Sequence, residues 1–239
     1  MKRVGLLAGG LIVGLAAAAF LLARRPPDFY TRALEQPLEQ VHQRSRDFLR
    51  HASQLASDVE NLSHWEAVFR REDVNAWLSN QFMQEFGRLL PPSVQEPRLN
   101  FEDGQMVLAF RNGTGWFAPV ISLKLALWFP EPNLLAVELL DGQAGSIPVS
   151  ITRTIHQAAA RSPKLGWNIK WKQHEGNPVA LVRLKWEKVY KDLTVEEVRI
   201  EQGLLYVRGN SEGCDAGAKS SVDRQALRFN PAKPPSAGL

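Results

Sequence analysis

The spacing of apolar positions changes as the chain is read from its N-terminus, and each spacing predicts a different element. Val4 to Ala23 is an unbroken apolar run of 20 residues. At about 1.5 Å per helical residue it reaches about 30 Å, the thickness of a hydrocarbon core. Lys2 and Arg3 precede the run, Arg24 and Arg25 close it, and Pro26-Pro27 ends the helix because proline has no N–H to donate. Residues 1–27 therefore read as a transmembrane anchor. A cleaved signal peptide with Ala17 to Ala19 as its cleavage site is the competing reading. Phe20, Leu21 and Leu22 continue the run past that point and favour the anchor. The N-terminal flank is too short to hold a domain, so the expected topology is single-pass in the cell membrane, with the C-terminal domain extracytoplasmic.

The next pattern is a heptad. Leu34, Leu38, Val41, Ser45, Phe48, Ala52, Leu55, Val59 and Leu62 are separated by alternating gaps of four and three. This predicts a long juxtamembrane amphipathic helix over residues 28–63, with Asp28 able to cap its start. Two readings follow. The seam could pair with a second copy as a parallel coiled coil, making a homodimer beside the membrane. It could instead lie on the chain's own domain. Ser45 and Ala52 bury little area at the seam's centre and weigh towards the second.

Over residues 64–209 the period alternates between two and 3.6. Trp65, Ala67 and Phe69 alternate with polar neighbours as a short strand, and Val74, Trp77, Leu78, Phe82, Phe86 and Leu89 form a helical stripe ended by Pro91-Pro92. Strands follow on either side of Asp103-Gly104, a hairpin signal. Val120 to Phe129 and Leu134 to Leu140 flank the turn Pro130 to Asn133, and Thr152 to Ala160 reads as a short helix. A second set of strands runs through Trp167 to Trp171, Ala180 to Trp186, Val195 to Ile200 and Leu204 to Val207. The order is helix, strands, helix, strands, without an internal sequence repeat. The predicted class is α+β: an N-terminal transmembrane helix, a long juxtamembrane helix, and a curved, mainly antiparallel sheet packed on helices. Residues 210–239 are Ser, Gly, Ala, Pro and charge, and read as a flexible tail.

Composition narrows the partners. The chain has 239 residues, 44% hydrophobic and 23% charged, which is globular, and a net charge of +4. The basic residues are scattered, with no Lys/Arg run interleaved with aromatics, so nucleic acid is not an expected partner. The membrane lipid bilayer, with its anionic headgroups, is. Cys214 is the only cysteine, so the chain can form no internal disulfide and no cysteine-based zinc site.

Catalytic patterns are missing from the sequence. The five histidines, His42, His51, His64, His156 and His174, are scattered without metal-ligand spacing. Glu196-Glu197 would point to opposite faces of a strand and cannot share a proton. There is no Gly-x-Ser-x-Gly elbow and no Gly-rich phosphate loop before a helix. The expectation is a non-enzyme that needs no cofactor. The apolar strand faces suggest something else. Leu123, Leu125 and Leu127, with Phe129, form one face, and Leu135, Val137 and Leu139 a facing one. Val182, Leu184 and Trp186, with Ala180, offer a third, and the stripe Val74, Trp77, Leu78 and Phe82 is the natural lid. If the lid closes fully these residues make a dry core. If it stands off they line a pocket for an acyl chain. The functional expectation is a binding module for a lipid or other apolar envelope molecule. The alternative is a non-catalytic scaffold that organises partners through the heptad helix and a sheet edge.

The octet Arg71 to Leu78, REDVNAWL, resembles a step in bacterial single-pass proteins of the YpmS-like type. There an anchor precedes a short strand, an acidic helix start with an Asn and a Leu, and a meander of strands. The resemblance covers the layout of residues 1–150, and the long heptad helix departs from it. It implies an anchored α+β envelope domain and carries over no functional residue.

The apolar run makes a direct prediction. The protein should stay with the membrane through an alkaline carbonate wash, its N-terminus should be Met1, and a phosphatase fused after Leu239 should be active. N-terminal sequencing that starts near Phe20, or a silent phosphatase, is the contrary result.

Overall fold

The computed structural model describes residues 25–115, 118–149, 169–184 and 193–211. Among them no helix is long and apolar enough to cross a membrane. The run Val4 to Ala23, the expected helix Thr152 to Ala160, Trp167 and Trp186 all lie outside the described residues.

Helix α1 spans Asp28–Leu34, and after Pro37 helix α2 spans Leu38–Asn61. Strand β1, His64–Arg70, leads without a loop into α3, Arg71–Trp77. Glu72 and Asp73 occupy the first turn of α3, where the exposed N–H groups favour negative charge. The stripe expected to run on to Leu89 is not one regular helix. A wider π turn, Leu78–Phe82, and a last turn, Met83–Glu85, follow α3, and Gly87–Leu89 is a separate tight turn.

The strands are β2 (Val94–Glu102), β3 (Gln105–Asn112), β4 (Val120–Glu131), β5 (Leu134–Ala144), β6 (Ile147–Pro148), β7 (Ile169–His174), β8 (Asn177–Arg183), β9 (Leu193–Glu201) and β10 (Leu204–Ser211). A large sheet has the order β2-β3-β4-β5-β8-β7, with β6 pairing on β5. A small sheet has the order β1-β10-β9. Every described pairing is antiparallel, and the fold is α+β with few helices. The second set of strands does not make a sheet of its own. Strands β7 and β8 extend the large sheet from β5, while β9 and β10 pair with β1 from the far end of the sequence.

Two hairpin tips lock the sheets together. Gly104 N–H donates to Ile200 O at 2.9 Å, and Gly203 N–H donates to Phe101 O at 3.0 Å. Both glycines have positive φ, 73° and 80°, which a side chain would resist. Arg71 N–H donates to Gly203 O at 2.9 Å, so the start of α3 is seated on the same corner. Gly209 serves a different need: a Cβ there would collide with Thr194 O and the Trp65 ring.

The seam of α2 packs inward on this body. Ser45 is buried, its hydroxyl 3.4 Å from Gln81 Oε1. The Phe48 ring stacks on Trp77 at 4.8 Å and meets Phe69 at 5.5 Å. Leu55 and Val59 pack against Trp65, Leu193 and Val195. Tyr30 of α1 is buried against Ala109 and Val120 on the other side of the large sheet. Residues 28–63 therefore share their cores with the strands: Phe48, Leu55 and Val59 of the heptad seam pack on the chain's own domain, while Leu38 and Leu62 at its ends are exposed.

Phe48→Asp should destabilise the protein by roughly 3 kcal/mol or more, because it sets an unpaired carboxylate between two aromatic rings. A melting curve that overlays the parent's is the outcome that would contradict this packing.

Candidate functional site

The first question is where the expected lid sits. Val74 and Leu78 are buried in one cluster with Phe69, Phe101 and Ile200, and Trp77, Phe82 and Leu127 pack against it. The helix does not stand off the sheet. Asn75 explains why: its Nδ2 donates to Leu99 O at 2.8 Å and its Oδ1 accepts from Leu99 N–H at 2.7 Å. A side-chain amide presents donor and acceptor at the spacing of a peptide unit, so it takes the place of a neighbouring strand and pins α3 to β2. Val74 and Leu78 thus belong to a packed core with Trp77, Phe82 and Leu127 against it, the arrangement of the closed-lid alternative.

The remaining expected site residues separate into two groups. Leu184 joins Trp65, Leu193, Val195 and Phe129 in a second packed cluster. Leu123, Leu125, Val137 and Val182 are half-buried and belong to none of the buried clusters. Register puts these four on one face. Leu125 lies between Met106 and Leu139, and Leu123 between Leu108 and Gly142. Trp171, Ala180, Val137 and Leu127 form one continuous row across β7, β8, β5 and β4. Ile169, Val182 and Leu135 form the next row. The large sheet therefore carries one apolar face. Its β2–β4 end is covered by α3 and by β9, while the main packing of β5, β7 and β8 is to other strands of their own sheet. Trp186, expected to extend the face, lies outside the described residues.

The opposite face of the same sheet buries a carboxylate, Glu138, that the sequence did not single out. Glu138 accepts from Asn177 Nδ2 at 2.8 Å, and His174 Nδ1 lies 3.5 Å from its other oxygen. The His174 ring is 5.7 Å from Trp128. A lone carboxylate inside the apolar run Leu134 to Leu140 was the available signal, since such a group must find partners when buried. Near α1 a bulge in β2 leaves two carbonyls to satisfy. Tyr30 Oη donates to Glu96 O at 3.1 Å, and Arg98 Nη1 donates to Pro97 O at 2.8 Å. Burial pushes the Tyr30 hydroxyl up and the Arg98 guanidinium down from their ordinary ranges.

Two clefts lie elsewhere. A depression of about 160 Å³ on the outer face of the small sheet is lined by Glu66, Val68, Glu197, Arg199, Tyr206 and Arg208. Arg208 Nε lies 2.6 Å from Glu197, and the Arg199 guanidinium lies 4.5 Å over the Tyr206 ring. A cleft of about 140 Å³ between α1 and α3 includes Arg32, Gln36, Arg71 and Glu72. Arg71 donates to Asn100 Oδ1 at 2.8 Å and is paired with Glu72. Among the described residues no three His, Cys, Asp or Glu side chains gather as a metal site. The apolar face is the feature that internal pairing does not account for.

No protein-family model, no curated protein and no solved structure matches this chain.

Asp73 provides a test of the α2–α3 contact. Burial raises its pKa above the usual carboxylate value, against the pull of Arg44. The folded state therefore holds the Asp73 proton to higher pH than the unfolded state, and this residue's contribution to stability falls as pH rises through that interval. Asp73→Asn removes the titration. The variant should melt above the parent at pH 7, with the difference narrowing as pH falls through the raised folded value towards the unfolded carboxylate value of about 4. Equal melting temperatures at pH 7 would show that Asp73 is not desolvated.

Proposed function

We propose that this protein is a membrane-anchored binding module of the cell envelope, which holds a lipid or other apolar molecule against the β5–β8–β7 end of its large sheet. The observation that carries the reading is the half-buried patch of Leu135, Val137, Val182, Ile169 and Trp171, which among the described residues joins none of the buried clusters formed with the helices and the small sheet. Apolar surface left in contact with water costs about 25 cal/mol per Å², and a chain gains by covering it. The run Val4 to Ala23 supports the same reading, because it would hold this face beside a reservoir of acyl chains. The likeness of Arg71 to Leu78 to YpmS-like proteins fits an envelope setting and adds nothing about the ligand. The scaffold reading has lost the support of the heptad seam, because Phe48, Leu55 and Val59 already pack on the domain.

The test uses the full chain held in a lipid-free amphipathic polymer. A fluorescent fatty acid should bind saturably at micromolar concentration. Val182→Trp, which fills the face between Leu135 and Ile169, should weaken binding about tenfold or more without changing the far-UV spectrum. Absence of saturable binding to the parent would overturn the lipid reading.

A further inference from the structure

The apolar face has one polar atom that its own fold leaves unused. Trp171 Nε1 is buried and has no hydrogen-bond partner among the described residues. Trp171 sits on β7, the last strand of the large sheet, and its position on the apolar face is fixed by pairing with Ala180, which pairs in turn with Val137. An indole N–H is a donor only, and a buried donor without an acceptor costs roughly 1–3 kcal/mol. Ile169, Ala180 and Val182, beside it on that face, offer no acceptor from their side chains. Lys170, Lys172 and His174 alternate onto the opposite face, while Gln173 shares the face of Trp171 at the exposed end of β7 and makes no hydrogen bond to its indole.

The row through Trp171 has two different ends. At one end Leu127 runs into the filled core with Val74, Leu78 and Phe101. At the other is β7, the edge of the sheet. The four strands between them span about 14 Å at the usual inter-strand spacing. A ligand on this row would therefore have a closed apolar end and a polar end at the sheet's margin, where the free N–H lies.

We propose that the indole N–H of Trp171 donates to the carboxyl or ester oxygen of an acyl-chain ligand whose hydrocarbon lies over Ala180, Val137 and Val182 towards Leu127. This rests on the lipid reading above and goes further, because it gives the ligand a chemical class and a direction. The class is an acyl compound rather than a plain hydrocarbon. A free fatty acid and an acyl ester share the oxygen that Trp171 would recognise, and the experiment separates them.

The full chain, labelled with ¹⁵N-tryptophan and held in the same lipid-free polymer, is titrated with dodecanoate, methyl dodecanoate and dodecane. The indole resonance of Trp171 is the one missing from the spectrum of Trp171→Phe. It should move downfield with dodecanoate and the ester, and stay with dodecane. If dodecanoate alone moves it, the ligand is a free acid; if both do, an acyl ester is also accepted. Trp171→Phe keeps the apolar ring and removes the donor, so dodecanoate should bind about threefold to tenfold more weakly while dodecane is unaffected. Dodecanoate binding with an unmoved Trp171 resonance and no loss in the variant would overturn the proposal and leave the lipid reading standing. Failure of all three ligands to bind the parent would remove both. The resonance shift is read on the parent protein, so the result does not depend on how well the variant folds.

Discussion

Asn133 is the joint on which the arrangement of the two sheets depends. It sits at the turn between β4 and β5 with φ 59°, a conformation asparagine tolerates better than most residues. Its own N–H donates to Val195 O at 3.1 Å, and its carbonyl accepts from Leu184 N–H at 2.9 Å. Its side chain takes the remaining groups of the same strand: Nδ2 donates to Leu193 O and Oδ1 accepts from Val195 N–H, both at 2.8 Å. One residue thereby ties the turn of the large sheet to the start of β9 and the end of β8. The far end of β9 is held by the reciprocal bonds of Gly104 and Gly203. With both ends fixed, β9 lies along β2 to β4.

Much of the fold was legible because it is local. The turns at Asp103-Gly104 and at Pro130 to Asn133 each separate strands that pair directly with each other. The acidic start of α3 and the stripe on α2 also came through, since both are set by residues within a few turns of one another. What sequence periodicity could not give was the pairing of β1 with β10, whose residues are paired His64 to Asn210 across nearly the whole domain. Nor could it give the bulge at Glu96, which moves the register of β2 between Gln95 and Arg98.

The site was legible in part for the same reason. Alternation showed correctly that Leu123, Leu125 and Leu127 share a face with Val137 and Val182. It could not show which stretch of that face is covered, because the cover is set by polar groups far away in sequence. Asn75 and Asn133 each act as a strand by proxy, and nothing in their neighbours marks an asparagine for that role. The octet around Asn75 nonetheless acquires a physical meaning: its acids suit a helix start, its asparagine grips β2, and Val74 and Leu78 enter the core.

The pairing of β1 with β10 also sets an order on synthesis. Trp65 and Phe69 emerge from the ribosome early, yet the strand that shelters them is completed only at Ser211. Until then β1 has an open edge, and the seam of α2 faces a sheet that does not exist. Large-sheet hairpins can close as they appear, but the small sheet waits for its last strand. For most of its translation the nascent chain is therefore an unfinished β-edge with aromatic side chains exposed, and its biogenesis calls for something to guard that edge until β10 arrives.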